Sequence, residues 1–349
     1  MSYRFSLAGS QDDGEIRRLL AESPVAGPVE LTFEREPSFL ESCRVHGPFV
    51  QVLVGRNPEG LLSAVASRSI RSHFVNGIPR AYGYLSGLRV ARSQRGQWLL
   101  SGGFRYLREL HGDGRVPGYI TTITEGNQTA EGVLVRRARR GFPRYRELAR
   151  VCTLSLAVRR LRSPARPAAR ADLGEIVDFL RREGARKQFF PVWSEADFLE
   201  EGTTPGFRPE DFLVLREGGR ITAVAGLWDQ SSFKQTVVQR YNGVMRLGRR
   251  LAGLPPPGSP LPIVYGCFVC IEENRPERFR PLLEGLLGRA REGGHRFVVV
   301  GFAEGDPLLE LARRYRHADY YSRLYEVRWK EAGHEDIDHR IPYVEIACL

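Results

Sequence analysis

The chain has 349 residues, of which 42% are hydrophobic and 27% are charged. A chain of this length and composition is expected to form two or three domains with a substantial core. Its N-terminus lacks the charged and then apolar pattern of a signal peptide, and no apolar run approaches the roughly 18 residues that span a bilayer. The sequence therefore argues against helical membrane spans and predicts a cytoplasmic protein.

The formal net charge is +11. Lysine occurs only at positions 187, 234 and 330, so arginine supplies almost all of the positive charge along the chain. The densest arginine clusters lie at 136–140 and 159–162. Because the remaining arginines are evenly spread, they are typical of a solvated surface rather than of a nucleic-acid-binding face. We therefore expect neither a nucleic-acid partner nor a membrane partner.

The five cysteines lie mostly in apolar stretches, which is typical of reduced core thiols. Cys267 and Cys270 have the spacing of a metal-ligand pair, but the sequence offers no second pair. On a regular strand this spacing would direct the two side chains to opposite faces. The sequence therefore predicts no metal site.

Hydrophobic periodicity and turn residues divide the first half of the chain into alternating strands and helices. An amphipathic helix comes first, and Asn127 is the predicted N-cap of the last helix. The predicted elements are a helix (Asp13–Ala21), a hairpin (Phe49–Gly55 and Leu61–His73), a strand (Tyr82–Val90), a helix (Gln97–His111), a strand (Gly118–Thr124), a helix (Gln128–Arg140) and a strand that ends at Val158.

The second half repeats this order after a proline-containing linker, so the chain is predicted to hold two copies of one α/β unit. The predicted domains are residues 1–161 and 169–349, joined by residues 162–168. The predicted elements are a helix (Leu173–Glu183), a hairpin (Phe212–Arg216 and Ile221–Asp229), a strand (Ile263–Ile271), a helix (Glu277–Glu292), a strand (Arg296–Phe302), a helix (Pro307–Arg314) and two strands (Tyr320–Trp329 and Tyr343–Cys348).

The stretch from Leu88 to Leu99 is the most informative part of the sequence. An apolar strand ends there in a basic loop that contains a glycine, and a long helix follows at once. Main-chain N–H groups at the start of a helix favour phosphate groups. The first half is therefore a candidate to bind a phosphate-containing cofactor.

Two motifs in this half resemble those of the GCN5-related N-acetyltransferases, the GNAT superfamily. Leu88–Val90 and Arg95–Gln97 match the acetyl-CoA motif, in which Leu-x-Val is followed by Arg-Gly-x-Gly or Arg-Gly-x-Ala. Asn127–Ala130, followed by Gly141–Phe142, resembles the second motif of the superfamily. The resemblance implies an α/β fold of two tandem GNAT-like domains, each a mixed β-sheet flanked by helices.

By the same resemblance, the first domain would bind acetyl-CoA or another acyl-CoA. The strand would pair with the pantetheine arm, the loop and helix start would hold the pyrophosphate, and Asn127 would lie near the pantetheine or adenine. The implied cofactor-binding residues are Leu88, Arg89, Val90, Arg95, Gly96, Gln97, Trp98, Leu99 and Asn127. The second domain has Glu272–Pro276 where the phosphate loop would be, so it is predicted to be a degenerate copy.

Two side chains are candidates for proton transfer. Glu125 ends a strand next to the second motif, and the carboxyl ends of strands carry functional groups in open α/β sheets. Tyr84 lies on the strand before the first motif, on a face that can line a substrate cleft. Two departures from the family pattern oppose catalysis: Trp98 replaces a small residue of the phosphate loop, and Leu134 replaces a tyrosine that protonates the departing thiolate.

Three functions follow from these observations. The first is an acyl-CoA-dependent N-acyltransferase, with acetyl-CoA as donor and a primary amine of a small molecule or peptide as acceptor. The second is a regulatory or ligand-binding module that keeps the fold without turnover, and Trp98 and Leu134 motivate it. The third is a transferase that uses aminoacyl-tRNA, against which the even spread of arginine argues.

Overall fold

The computed structural model describes residues 3–91, 97–135, 142–243, 245–246, 249, 253–329 and 336–349, without the side chains of residues 97 and 98. Its strands are β1 (Arg4–Leu7), β2 (Val29–Glu34), β3 (Phe49–Arg56), β4 (Leu62–Val75), β5 (Ile78–Val90), β6 (Tyr119–Thr124), β7 (Arg144–Ala157), β8 (Arg166–Pro167), β9 (Phe212–Glu217), β10 (Arg220–Trp228), β11 (Gln235–Tyr241), β12 (Ile263–Ile271), β13 (Phe297–Ala303) and β14 (His317–Arg328). Its helices are α1 (Asp13–Ala21), α2 (Phe39–Ser42), α3 (Gln97–His111), α4 (Gln128–Ala130), α5 (Leu173–Gly184), α6 (Pro276–Glu292) and α7 (Pro307–Ala312). None of these helices is long and apolar enough to cross a membrane.

The two halves share one mixed sheet. The strand order is β1-β3-β4-β5-β6-β14-β7-β13-β12-β10-β9-β8. The order is symmetric about its centre, because each of its strands from the first half has a counterpart from the second half at the same distance from the opposite edge. The last strand of each half pairs with the other half, because β14 lies beside β6 and β7 lies beside β13. A second sheet joins β2 of the first half to β11 of the second. The mixed α/β sheet and the repeated element order confirm the predicted fold class.

The two parallel strands at the centre of each half pair over a short stretch and then diverge. Strands β5 and β6 pair only at Gly83–Tyr119 and Tyr84–Ile120. Strands β12 and β13 likewise pair at three positions, the last being Tyr265–Val299. Three residues further on, each strand has a bulge with positive φ, 66° at Gly87 and 54° at Phe268. Each half therefore has a gap between diverging strands next to a bulge.

Helices cover both faces of the sheet because each buries an apolar stripe. In the first half α1 packs on one face with Val52 and Val65, and α3 packs on the other with Leu53 and Tyr119. In the second half α5 and α6 cover the two faces in the same way. This arrangement leaves the gap between β5 and β6 within the layered structure of the first half.

Most predicted elements are confirmed to within a few residues, and α1 and α3 have the predicted bounds. The predicted helix Gln128–Arg140 consists of α4 followed by a π-helical turn over Glu131–Val135. Residues 136–141 lie outside the described residues. Strands β1, β2, β8 and β11 were not predicted from the sequence, and β8 lies within the predicted linker.

The prediction of a strand over Tyr343–Cys348 is wrong. Strand β14 is flanked on both sides by β6 and β7, so no sheet edge is free beside it. The chain after β14 instead ends in a 3-10 turn over Ile346–Cys348. Glu345 begins this turn by accepting a hydrogen bond from the Ala347 main-chain N–H at 3.3 Å.

The expectation that Cys267 and Cys270 point to opposite faces is also wrong. Both side chains belong to the same buried cluster, whereas Val269 and Ile271 belong to the cluster on the other face. The bulge at Phe268 inserts one residue into the strand, which shifts the alternation of side chains. Both thiols are free and buried.

Candidate functional site

A small cleft of about 40 Å³ lies where β5 and β6 diverge, and it is partly open to solvent. The first half contributes β4, β5, β6 and the turn at His46 to the walls. The second half contributes two residues after α5, one residue of β14 and the end of the chain. The residues that line it are His46, Arg71, His73, Tyr84, Ile120, Thr122, Phe189, Pro191, Leu324, Tyr343, Val344, Glu345, Cys348 and Leu349. Both halves therefore build one cleft.

Tyr84 is the last residue of β5 that pairs with β6. Its ring stands edge-on to the imidazole of His46, with centroids 5.8 Å apart. Burial raises the pKa of Tyr84 to about 12, although a hydrogen bond with Thr122 opposes this shift. The hydroxyl therefore stays protonated near neutral pH and can act as a proton donor.

His46 ends a 3-10 turn and is only 8% exposed. Neither of its ring nitrogens has a hydrogen-bond partner among the residues that the structure describes. Burial lowers the pKa of His46 well below its usual value, and the charges of Arg35, Lys234 and Arg71 lower it further. The imidazole is therefore neutral, with one nitrogen that accepts and one that donates a hydrogen bond.

Arg71 projects from β4 into the cleft and is 7% exposed. Its Nη2 donates to the hydroxyl of Thr203 at 2.6 Å and lies 3.9 Å from a carboxylate oxygen of Asp197. Its guanidinium also stacks over the ring of Trp193, 4.2 Å from the centroid. The Nε of Arg71 has no partner in the described part of the chain.

Two further cations come from the ends of the small sheet. The pairing of Glu34 with Gln235 brings the neighbouring residues Arg35 and Lys234 to the same side. Both donate to the main-chain oxygen of Leu349, at 3.1 Å from Arg35 and 2.8 Å from Lys234. Burial lowers the pKa of each group. These two side chains therefore hold Leu349 in place beside the cleft.

Solved structures with this architecture are known. An N-myristoyltransferase of Saccharomyces cerevisiae with bound myristoyl-CoA matches 98% of this chain and 84% of its own, with a TM-score of 0.65 and 12% identity. A GCN5-related N-acetyltransferase from Sphaerobacter thermophilus matches 99% of this chain and 98% of its own, with a TM-score of 0.59 and 14% identity. The chain has the GNAT fold. No protein-family model and no curated protein matches the sequence.

In this GNAT fold, the residues expected to bind the cofactor border the gap of the first half. Leu88 is 38% exposed, Arg89 donates to the Leu88 carbonyl at 2.9 Å, and Val90 pairs with Ala64 of β4. Burial lowers the pKa of Arg89. Because β6 leaves β5 after Tyr84, the other edge of β5 is free in the described structure.

The start of α3 at Gln97 agrees with the sequence prediction, but Arg95 and Gly96 lie outside the described residues, as do the side chains of Gln97 and Trp98. Leu99 is buried, so only its main chain can face a phosphate. Asn127 caps α4 as predicted, because its side chain accepts a hydrogen bond from the Ala130 N–H at 3.1 Å.

Glu125 lies away from the cleft and is not brought together with Tyr84. Both of its carboxylate oxygens accept hydrogen bonds from Arg150 at 2.8 Å, and Arg323 lies 3.2 Å away. These partners, Arg150 foremost, hold the pKa of Glu125 below its usual value. Arg150 also binds Glu304 at 2.7 Å, so the network links the ends of β6 and β13.

Leu134 is half-buried and packs on the apolar cluster that includes Phe104 and Tyr119. A side chain in that position fills the space beneath α3. This contact gives Leu134 a packing role in the first half.

The second copy fills its own gap. The Glu345 carboxylate accepts hydrogen bonds from the main-chain N–H of Phe268 at 2.8 Å and from the Tyr343 hydroxyl at 2.6 Å. Asp306, which caps α7, also pairs with Lys187 at 3.2 Å. Side chains of the second half thus bind the bulge equivalent to that at Gly87 and the start of α7, the counterpart of the helix that Asn127 caps.

Sequence reasoning missed most of the cleft. His46, Arg35 and Lys234 come from loops whose positions depend on contacts distant in sequence. Arg71 left no clear signal, because the same strand also buries Arg68 and His73.

Proposed function

We propose that this protein is an acyl-CoA-dependent N-acyltransferase that binds the donor in its first half and the acceptor amine in the cleft. One observation supports this most strongly. The gap of the first half opens onto a cleft that contains Tyr84, whereas in the second half the Glu345 carboxylate binds the main chain at the bulge of Phe268. The fold shared with known N-acyltransferases agrees with this assignment.

The donor would lie along the free edge of β5. Main-chain groups of Leu88–Val90 would bind the pantetheine arm and polarise the thioester carbonyl, as the family resemblance implies. The loop before α3 and the helix start at Gln97–Leu99 would hold the pyrophosphate, with Asn127 nearby. Hydrogen bonds from fixed main-chain N–H groups stabilise an oxyanion without reorganisation.

The reaction would then proceed by direct attack. The neutral amine nitrogen bonds to the thioester carbon, the carbon–sulfur bond breaks, and the amine loses one proton. The hydroxyl of Tyr84 would donate a hydrogen bond or proton to the leaving sulfur, and the unpaired nitrogen of His46 would accept from the amine. The guanidinium of Arg71 in the cleft favours the neutral amine over the ammonium form. Glu125, the other predicted catalytic residue, has a less suitable position because it is ion-paired outside the cleft.

The donor that we expect is acetyl-CoA, as the sequence motifs imply. The yeast N-myristoyltransferase of the same fold was solved with myristoyl-CoA, so a long acyl chain is the alternative. The acceptor would be a primary amine of a small molecule or peptide. A comparison of acetyl-, octanoyl- and myristoyl-CoA in one thiol-release assay decides between short and long chains.

Calorimetry with acetyl-CoA and thiol release with a panel of amines test the proposal. We expect saturable binding that is lost in Gly96→Glu, because a carboxylate would then oppose the pyrophosphate. Gly14→Glu is the control, since Gly14 lies in open space on α1. Absence of binding for all three acyl-CoAs at millimolar concentration would refute the proposal.

Trp98 and Leu134 are the basis for a second candidate function, that of a regulatory or ligand-binding module. The packing of Leu134 into the cluster beneath α3 favours it, since the tyrosine expected at this position is missing. Binding of acyl-CoA without thiol release for any amine would support this alternative over catalysis.

A further inference from the structure

We propose that the acceptor amine also carries an acidic group, a carboxylate or a phosphate, which binds Arg71 in the cleft. This inference rests on the proposed N-acyltransferase function and names the class of its acceptor. It is carried by the charge of the cleft and by buried polar atoms that lack partners.

Arg71 is the cation that lines the cleft, and it can still take a ligand. Its Nη2 donates to Thr203 and lies 3.9 Å from a carboxylate oxygen of Asp197, whereas its Nε has no described partner. Glu345 also lines the cleft, but its carboxylate already accepts from Tyr343 and from main-chain N–H groups. An anion is the ligand that such a guanidinium favours.

Two side chains that line the cleft have unmet hydrogen bonds. Arg71 is 7% exposed and its Nε has no described partner, although Nη2 binds Thr203. His46 is 8% exposed, and both of its ring nitrogens are unpaired within the described residues. Buried polar atoms in folded proteins nearly always have partners. A ligand is therefore expected to supply an acceptor for Arg71 and both a donor and an acceptor for His46.

An amino acid-like or phosphorylated amine meets these needs. Carboxylate and phosphate oxygens match the planar guanidinium better than any neutral group does. Arg71 is already held in place by Thr203 and by the ring of Trp193, so its free Nε is fixed in direction. A simple alkyl ammonium would offer Arg71 no hydrogen-bond acceptor and would be repelled by its guanidinium. The acidic group would thus bring the amine into the cleft, next to His46 and Tyr84.

The first experiment measures anion binding without acyl-CoA. Malonate and inorganic phosphate are added to the full chain, with sodium chloride at equal ionic strength as reference, and the thermal unfolding midpoint is followed. We expect a saturable rise of a few degrees that is lost in Arg71→Met and kept in the control Arg208→Met, whose side chain is 75% exposed. If Arg71→Met does not fold, Arg71→Lys replaces it. We expect the anion to raise the unfolding midpoint of this variant at least tenfold less than that of wild type.

No anion-specific rise, or a rise that is the same in wild type and Arg71 variants, would overturn the inference. The titration is repeated with saturating CoA to separate this subsite from the cofactor site. Phosphate that binds at the cofactor site would no longer raise the unfolding midpoint, whereas phosphate bound at Arg71 would still raise it. This arm does not depend on turnover. Its failure is therefore distinguishable from failure of acyl-CoA to bind, which would overturn the proposed function.

The second experiment compares matched acceptors by thiol release from acetyl-CoA. The pairs are glycine and glycinamide, β-alanine and β-alaninamide, and O-phosphoethanolamine and ethanolamine. We expect the anionic member of every reacting pair to have at least a tenfold higher kcat/KM, and the carboxylate and phosphate pairs show which acid is preferred. Equal or faster reaction of the neutral members would contradict the inference.

Discussion

Tyr84 and Glu125, the two side chains predicted to transfer protons, differ in their surroundings. Tyr84 is enclosed in the cleft, and burial keeps its hydroxyl protonated. Glu125 is held by Arg150 and Arg323 at the junction of the halves, and these partners keep its carboxylate ionised. A protonated hydroxyl suits a proton donor, whereas an ion-paired carboxylate is a weak proton acceptor.

We predict that Tyr84→Phe lowers kcat for thiol release by about 10²-fold, the range that proton donors supply. Binding of acyl-CoA should be unchanged, because the hydroxyl acts on the leaving sulfur. Steady-state kinetics and calorimetry measure the two effects. Tyr145→Phe is the matched control, since Tyr145 packs on Tyr325 outside the cleft. Full activity of Tyr84→Phe would rule out this role.

Glu125→Gln should affect stability more than catalysis. Because Arg150 lowers the pKa of Glu125, the unfolded chain takes up a proton first, and stability falls as the pH falls below about 4.5. We expect the thermal midpoint of the variant to lie about 2 °C below that of wild type at pH 7, and the difference to shrink toward pH 3. Its kcat should stay within about twofold. A loss of kcat at unchanged stability would instead support the catalytic role that the sequence suggested.

At the scale of elements, the two copies of the central strand explain why the halves differ. Both strands have a bulge three residues after the last pairing with the neighbouring parallel strand. In the first copy the bulge residue is Gly87, which adopts positive φ without strain. In the second copy Phe268 takes the same conformation, and Glu345 binds its N–H. The repeat thus keeps the backbone geometry while side chains fill one of its two gaps.

We predict that Glu345→Ala lowers the free energy of unfolding by about 2 kcal/mol, because the buried N–H of Phe268 would lose its acceptor. Urea denaturation measures this change. The control is Glu310→Ala, whose side chain is 70% exposed in an ion pair and whose loss should cost less than about 0.5 kcal/mol. Equal effects of the two substitutions would show that Glu345 does not stabilise the second copy.

The sequence predicted those elements whose signals are local. The amphipathic pattern of α1, the bounds of α3 and the cap at Asn127 depend only on neighbouring residues, and all three agree with the structure. Other features depend on distant residues. Strands β7 and β14 each pair with the other half, and β2 pairs with β11, so all of these pairings join residues more than 100 positions apart. The turn after Tyr343 forms because both edges of β14 are already occupied. The cleft joins His46 and Arg71 to residues 343–349, which are more than 200 residues away in sequence, so it could not be predicted.

At the scale of the whole molecule, the exchange of terminal strands joins the halves. Strand β14 supplies the neighbour of β6, and the cleft takes the residues after Tyr343 from the second half. A separate first half would expose the edge of β6 and would lack one wall of the cleft. Residues 162–168 thus connect the two halves in sequence, and in space each half contributes a strand to the other.

We predict that residues 1–161 and 169–349, produced separately, do not unfold cooperatively, because each lacks one central strand. Mixing or co-producing them should restore a cooperative transition, measured by circular dichroism against urea. The intact chain serves as reference. A cooperative transition of the isolated first half would mean that β6 and β7 find other partners.

Hydrogen–deuterium exchange in the presence of acetyl-CoA tests the central claim most directly, because the two copies serve as each other's control. We expect acetyl-CoA to slow exchange of main-chain amides in residues 86–90, at the free edge of β5. Residues 267–271 should not change, since Glu345 already binds this bulge. Unchanged exchange at residues 86–90 under saturating acetyl-CoA, or equal slowing in both segments, would contradict the account.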